Sequence, residues 1–150
     1  MELVINNRQR ARRLDRKLLK QIGEFTLSES RVQSAELGIH FVSAKQMANV
    51  HEQFMNIAGS TDVITFNHGS EPPTRIHGEI FISVEDAIVQ AREFKTTWQS
   101  ETVRYVIHGI LHLVGHDDLR AKARAKMKRE ENRLLRKIES NFNLRQIEKR

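Results

Sequence analysis

The chain has 150 residues, no cysteine and a formal net charge of +6. That length fits one domain with a core of its own, and the lack of cysteine excludes a disulfide framework, a disulfide-linked partner, a thiolate zinc site and a cysteine nucleophile. The charge is unevenly spread: residues 1–20 hold seven Lys/Arg and two acids, residues 21–118 six and thirteen, and residues 119–150 twelve and four. Basic ends around an acidic middle suit a polyanion held through its phosphates, though the same pattern describes ordinary solvated helix faces. Met1–Asn6 lacks the apolar run and cleavage site of a signal peptide. No stretch approaches the ~18 apolar residues of a membrane span, so a cytoplasmic protein with no membrane partner is expected.

Taken in chain order, Glu2–Asn6 reads as a short strand. Arg10–Phe25 reads as an amphipathic helix, with Leu14, Leu18, Leu19, Ile22 and Phe25 at helical spacing. Glu36–Val42 has strand character. Ser43 with Gln46 forms a capping-box signal and opens a helix to about Asn56. Asp62–Phe66 is β-branched and apolar, hence a strand. The stretch from Asn67 to Arg75 contains Gly69 and Pro72-Pro73 and reads as a loop. Ile76–Val84 resumes as a strand able to form a hairpin with the previous one. Ser83 caps a helix to about Lys95, and Thr97 caps another through Val114. Apolar residues cover most of the circumference of that second helix, which marks it as buried. Leu119–Ile138 is a charged helix with a narrow stripe of Met127, Leu134, Leu135 and Ile138, and the basic tail 141–150 is expected to fray. Early strands and late helices predict an α+β fold: a small mixed sheet of about four strands packed with about five helices in a single domain.

The chemistry concentrates in His108-Gly109-Ile110-Leu111-His112-Leu113-Val114-Gly115-His116-Asp117-Asp118. Histidines four apart on a helix point the same way. Gly115 can end that helix in a left-handed cap, and the chain can then bring His116, Asp117 or Asp118 back to the same point. Two imidazoles and a third donor make an open metal site that leaves a position for water. The bland alternative is a pair of core histidines satisfied by ordinary partners. The zincin pattern has the same His spacing with Glu beside the first His as general base. Gly109 occupies that place, which weighs against a peptidase.

The run His-Gly-x-Leu-His-Leu-x-Gly-x-Asp resembles the signature of the bacterial YbeY family of zinc-dependent endoribonucleases. Companion segments agree in order: Phe54 through Thr61-Asp62-Val63-Ile64-Thr65-Phe66, Gly78-Glu79-Ile80-Phe81-Ile82-Ser83, Gln90-Ala91-Arg92-Glu93, Glu101, and Met127 with Glu130. The likeness spans about residues 40–135. It implies a metal-hydrolase-like α/β fold with the motif helix central. It also implies one Zn²⁺ per chain, ribosomal RNA near the 3′ end of the 16S RNA as substrate, a part in ribosome quality control, and the small ribosomal subunit as partner. The family usually has His where this chain has Asp118. Aspartate also binds zinc, so the resemblance implies His108, His112 and Asp118 as metal ligands and catalytic centre, with His116 the rival third ligand and Asp117 orienting a ligand through a hydrogen bond.

Many family members carry Arg where this chain has Met55, which removes one candidate phosphate clamp. Arg75, Arg92, Arg104 or the basic terminal helices are possible substitutes. His68 and Arg75 are candidate substrate-binding residues. His40 and Glu79 read as structural, His51 as a surface residue, and Phe94 and Trp98 as core. The leading expectation is a single-strand-specific, metal-dependent endoribonuclease. The alternatives are an RNA-binding ribosome-assembly factor that keeps metal only for stability, and a metallo-hydrolase of another substrate.

Overall fold

The computed structural model describes residues 1–55 and 62–150. The segment 56–61 and the Met55 side chain lie outside the described residues, and with them the Met55 departure and the expected helix end at Asn56. The chain runs β1 (Glu2–Asn7), α1 (Arg16–Glu29), β2 (Ser34–Val42), α2 (Ala44–Met55), β3 (Val63–Asn67), β4 (Arg75–Ser83), α3 (Val84–Phe94), α4 (Trp98–Leu113), α5 (Ala121–Asn141) and a short 3₁₀ helix (Leu144–Ile147). The expected α+β class, with its mixed four-stranded sheet, is what forms. The strand order is β1-β2-β4-β3, with β1, β2 and β4 parallel and β3 antiparallel to β4. The β3–β4 pair is the hairpin that the sequence suggests.

Strand alternation sorts the two faces of the sheet. Leu3, Ile5, Leu37, Ile39, Ile76, Ile80 and Ile82 are buried and join the main core with α1, α4 and α5. The other face is more polar, carrying Asn6, Glu36, His40, His77 and Glu79. One end of it is covered by α2, through Met47 against Val42 and Ile64. The capping box of α2 is present: Ser43 N–H donates to Gln46 Oε1 at 3.0 Å and Gln46 N–H to Ser43 Oγ at 3.1 Å.

Two expectations need correction. First, α1 starts at Arg16, not near Arg10, because Asp15 caps it by accepting the Leu18 N–H at 3.0 Å. Leu14 is buried outside the helix, bridging to Glu148. Second, the tail expected to fray is docked against the fold. Asp15 N–H donates to Ile147 O at 2.7 Å, Lys149 N–H to Arg13 O at 2.9 Å, and Ile147 is 0 % exposed. Phe142 adds an edge-on contact with Phe25, ring centroids 5.7 Å apart. The tail is held by the segment preceding α1, a long-range pairing without local periodicity. Among the described residues, no helix is long and apolar enough to cross a membrane.

Candidate metal centre and groove

α4 is capped by Thr97, which accepts the Ser100 N–H at 3.1 Å, and it crosses the sheet at β4. A side chain at Gly109 would bring its Cβ to 2.7 Å from Ile80, a fully buried neighbour. The position of the zincin glutamate is therefore the contact point between helix and sheet, and no proton acceptor fits there. At its C-terminus α4 closes with Gly115 at φ +105°. Gly115 N–H donates to His112 O at 3.1 Å and His116 N–H to Leu111 O at 2.9 Å. This is the Schellman pattern, with glycine at the position that needs positive φ.

That reversal returns Asp118 to the helix. Its Oδ2 lies 3.6 Å from His108 Nε2 and 3.4 Å from His112 Nε2, and the two imidazole nitrogens are 3.2 Å apart. Zinc–ligand bonds of about 2.0–2.1 Å at tetrahedral angles put neighbouring donors about 3.3 Å apart, so the triangle has the size such an ion requires.

The protonation of the donors agrees. Glu131, a buried residue of α5, places Oε2 3.1 Å from His108 Nδ1. A carboxylate there keeps the proton on Nδ1 and turns the Nε2 lone pair toward the triangle. Burial alone would push the Glu131 carboxyl up. The hydrogen bonds from His108 and Arg104 (Nη1 to Oε1, 2.8 Å), helped by the Lys128 charge, outweigh it and hold the carboxyl below its ordinary range. Two imidazoles, one of them oriented by a carboxylate, thus converge with a carboxylate as third donor, a set suited to a divalent cation. Among the described residues this is the group of His and acidic side chains close enough to share one ion.

The triangle lies in a groove of about 930 Å³ floored by α4. Thr65 and Asn67 of β3 line one wall, and Arg104, Arg124 and Lys128 bring positive charge to the α4–α5 side. Several expected residues lie elsewhere. His116 borders a separate concavity with Lys126, Arg129 and Arg133, and burial, then Lys126, hold its imidazole below the ordinary range. Asp117 is exposed, and its Oδ1 accepts the Leu119 N–H at 2.8 Å, shaping the turn; the carboxylate that orients His108 is Glu131.

His68 does not line the groove. Its Nε2 meets Glu79 Oε2 at 2.8 Å on the opposite face of the sheet, where His40 takes Glu79 Oε1 at 2.9 Å and stacks on Phe81. The His68 bond, with weaker help from the His40 bond, lowers the Glu79 carboxyl and outweighs the opposing effect of burial. Arg75 pairs with Glu71 at 3.4 Å, also away from the groove. His51, expected at the surface, is half-buried and lines the groove. Trp98 packs on the core as expected, whereas Phe94 is 63 % exposed at the groove.

Sequence reasoning missed Glu131. The visible signal was a glutamate four residues after Met127, on the buried stripe of α5. Its neighbour Glu130, part of the family likeness, instead pairs with Arg133.

A family model described as Endoribonuclease YbeY matches residues 4–139. The chain belongs to that family. Among curated YbeY relatives, the protein of Oenococcus oeni is 31% identical over 73% of this chain and 76% of its own length. That of Chlorobium phaeovibrioides is 28% identical over 91% and 90%, and that of Endomicrobium trichonymphae 33% over 73% and 76%. The solution structure of TM1509 from Thermotoga maritima superposes with a TM-score of 0.65 and 26% identity, covering 94% of this chain and 93% of that one. The matched YbeY region contains both motif histidines, Asp118 and Glu131.

Proposed function

We propose that this protein is a zinc-dependent endoribonuclease that cuts single-stranded RNA in the α4 groove. The observation that carries the reading is the convergence of His108, His112 and Asp118 within a groove bordered by Arg104, Arg124 and Lys128. Membership of a family of endoribonucleases makes RNA the expected polymer. Within that reading, the substrate is ribosomal RNA near the 3′ end of the small-subunit RNA, the partner is the small ribosomal subunit, and the site of action is the cytoplasm. The basic helix α5 suits such a polyanion.

His108, His112 and Asp118 would hold one Zn²⁺, which when bound supplies Lewis acidity at a phosphodiester oxygen and acidifies water near neutral pH. The protein's own contribution is positional. Glu131 fixes the His108 ring and its tautomer. Asp118 contributes a negative charge where a third imidazole would be neutral, which would leave a bound cation a weaker Lewis acid. Arg124 and Lys128 offer charge to phosphates beside the triangle, and Arg104 does so from its bond to Glu131. Asn67 and Thr65 offer neutral hydrogen bonds across the groove.

The test is cleavage of a labelled single-stranded oligoribonucleotide and its duplex by wild type and by His112→Ala. The reading expects cutting of the single strand, little of the duplex, and loss of at least 100-fold in the variant, on the order of a lost metal-activation step. Unchanged cleavage in a folded His112→Ala variant contradicts it. Retained RNA binding without cleavage by wild type would favour the assembly-factor alternative.

A further inference from the structure

The groove continues past the metal triangle along α4, and its far end has features the hydrolytic site does not use. Tyr105 is one turn before His108 on the same face. It is only 7 % exposed, it lines the groove, and its hydroxyl makes no well-formed hydrogen bond among the described residues, its interaction being with the Asp62 carboxylate. A buried hydroxyl in poor hydrogen-bond geometry is costly, and an acceptor brought into the groove by another molecule would relieve that cost. Asp62 lies close to this hydroxyl and lines the same groove. No basic side chain forms an ion pair with Asp62 among the described residues, and burial followed by the nearby Asp86 charge raises its carboxyl above the ordinary range. Glu101, beside them, is already satisfied: Thr96 Oγ1 donates to it at 2.7 Å and Arg104 lies 4.0 Å away. At the edge of the same groove stands Phe94, the large exposed aromatic that the core does not use.

We propose that this end of the groove is a nucleobase pocket, in which Phe94 offers a stacking face and Asp62 with Tyr105 reads the hydrogen-bonding edge of the base. The proposal rests on the nuclease reading for its substrate and extends it to sequence preference. Single-stranded RNA is read by splayed bases stacked on aromatic rings and bonded along their exposed edges. Here the edge is met by a carboxylate, which accepts two adjacent N–H groups, and by a phenol, which donates one. Guanine is the base whose Watson–Crick edge presents two neighbouring donors, N1–H and N2–H, next to the O6 acceptor. Its donors also relieve the cost of the half-buried Asp62 charge. Adenine has one donor on that edge and matches less well. The pocket selects a guanine at one nucleotide flanking the cleaved bond, because Tyr105 and His108 share a helix face one turn apart.

The experiment compares kcat/KM on single-stranded oligoribonucleotides that differ only in the base at each position flanking the cleaved bond. It uses wild type, Asp62→Asn, Tyr105→Phe and Phe94→Ala. Each protein is also titrated, without added metal, with guanosine 5′-monophosphate and adenosine 5′-monophosphate by calorimetry. Both edge-reading variants are near-isosteric, and thermal melts confirm that they are folded. Wild type is expected to prefer guanine over adenine at one flanking position by about ten-fold or more, the scale of a two-point base contact. Asp62→Asn should abolish that preference, Tyr105→Phe should reduce it, and Phe94→Ala should raise KM for all bases alike. Guanosine monophosphate should bind more tightly than the adenosine compound, with the difference lost in Asp62→Asn.

Wild-type cleavage without base preference, or a preference unchanged in both edge-reading variants, overturns the pocket while leaving the nuclease reading intact. If wild type cleaves no RNA, the nuclease reading fails, and the nucleotide titration decides the pocket by itself: equal binding of the two nucleotides overturns it.

Discussion

Glu131 shows how much of the centre depends on a residue that is not a ligand. Its carboxylate is buried, accepts from Arg104, and turns the His108 lone pair inward. Glu131→Gln keeps the shape and removes the charge. The variant is expected to bind zinc about 10- to 100-fold more weakly, as loss of such an orienting partner commonly does. It should also melt at lower temperature, because the half-buried Arg104 guanidinium loses its counter-charge. A competition titration with a chromophoric chelator, paired with a thermal melt, checks both; unchanged zinc affinity would show that His108 is oriented without Glu131. At this scale the legible residues were the local ones. His108, His112 and Asp118 lie within eleven positions of one another, so helix periodicity and one glycine cap bring them together. Glu131 and Asp62 reach the groove from separate parts of the chain, and their importance comes from packing that no local period records. Phe94 was misread because an aromatic beside Ala87 and Ala91 has helical spacing but no core facing it.

At the scale of elements, the meeting of α4 with β4 sets the position of the centre. Gly109 lies on Ile80, and Gly78 lies under Leu113 and against the Phe66 carbonyl, where an added Cβ would come within 2.9 Å of one and 2.4 Å of the other. Both glycines let the helix sit directly on the sheet, with His108 and His112 over the edge formed by β3. Gly109→Ala must displace a fully buried Ile80, an overpacking change expected to cost about 1–3 kcal/mol. Denaturant unfolding should show that loss, with a matching fall in zinc affinity if the helix shifts; wild-type stability would mean that Ile80 rotates away freely. The element types were legible from caps and periods: Ser83 and Thr97 begin the helices that they should. The start of α1 was not, because the Leu14 pattern continues the helical period while Asp15 caps the helix and Leu14 instead pairs with Glu148.

For the molecule as a whole, the two chain ends close on each other. The segment before α1 and the tail after α5 exchange backbone bonds around Ile147. Ile147→Ala should therefore destabilise the fold by about 2–5 kcal/mol, as for other fully buried aliphatic truncations, and removal of residues 142–150 should cost at least as much. A melt within error of wild type for Ile147→Ala would mean that the tail is a surface appendage. The charge asymmetry was visible in the sequence. Its use was not, because only folding brings Arg124 and Lys128 of the basic C-terminal part to the rim of a groove in the acidic middle.

Zinc stoichiometry shows whether His108, His112 and Asp118 form the metal centre. Wild type, Asp118→Ala and His116→Ala are purified, equilibrated with limiting zinc and measured by elemental analysis. One zinc per chain is expected in wild type and His116→Ala, and marked loss in Asp118→Ala. Full zinc in Asp118→Ala together with loss in His116→Ala would contradict that assignment.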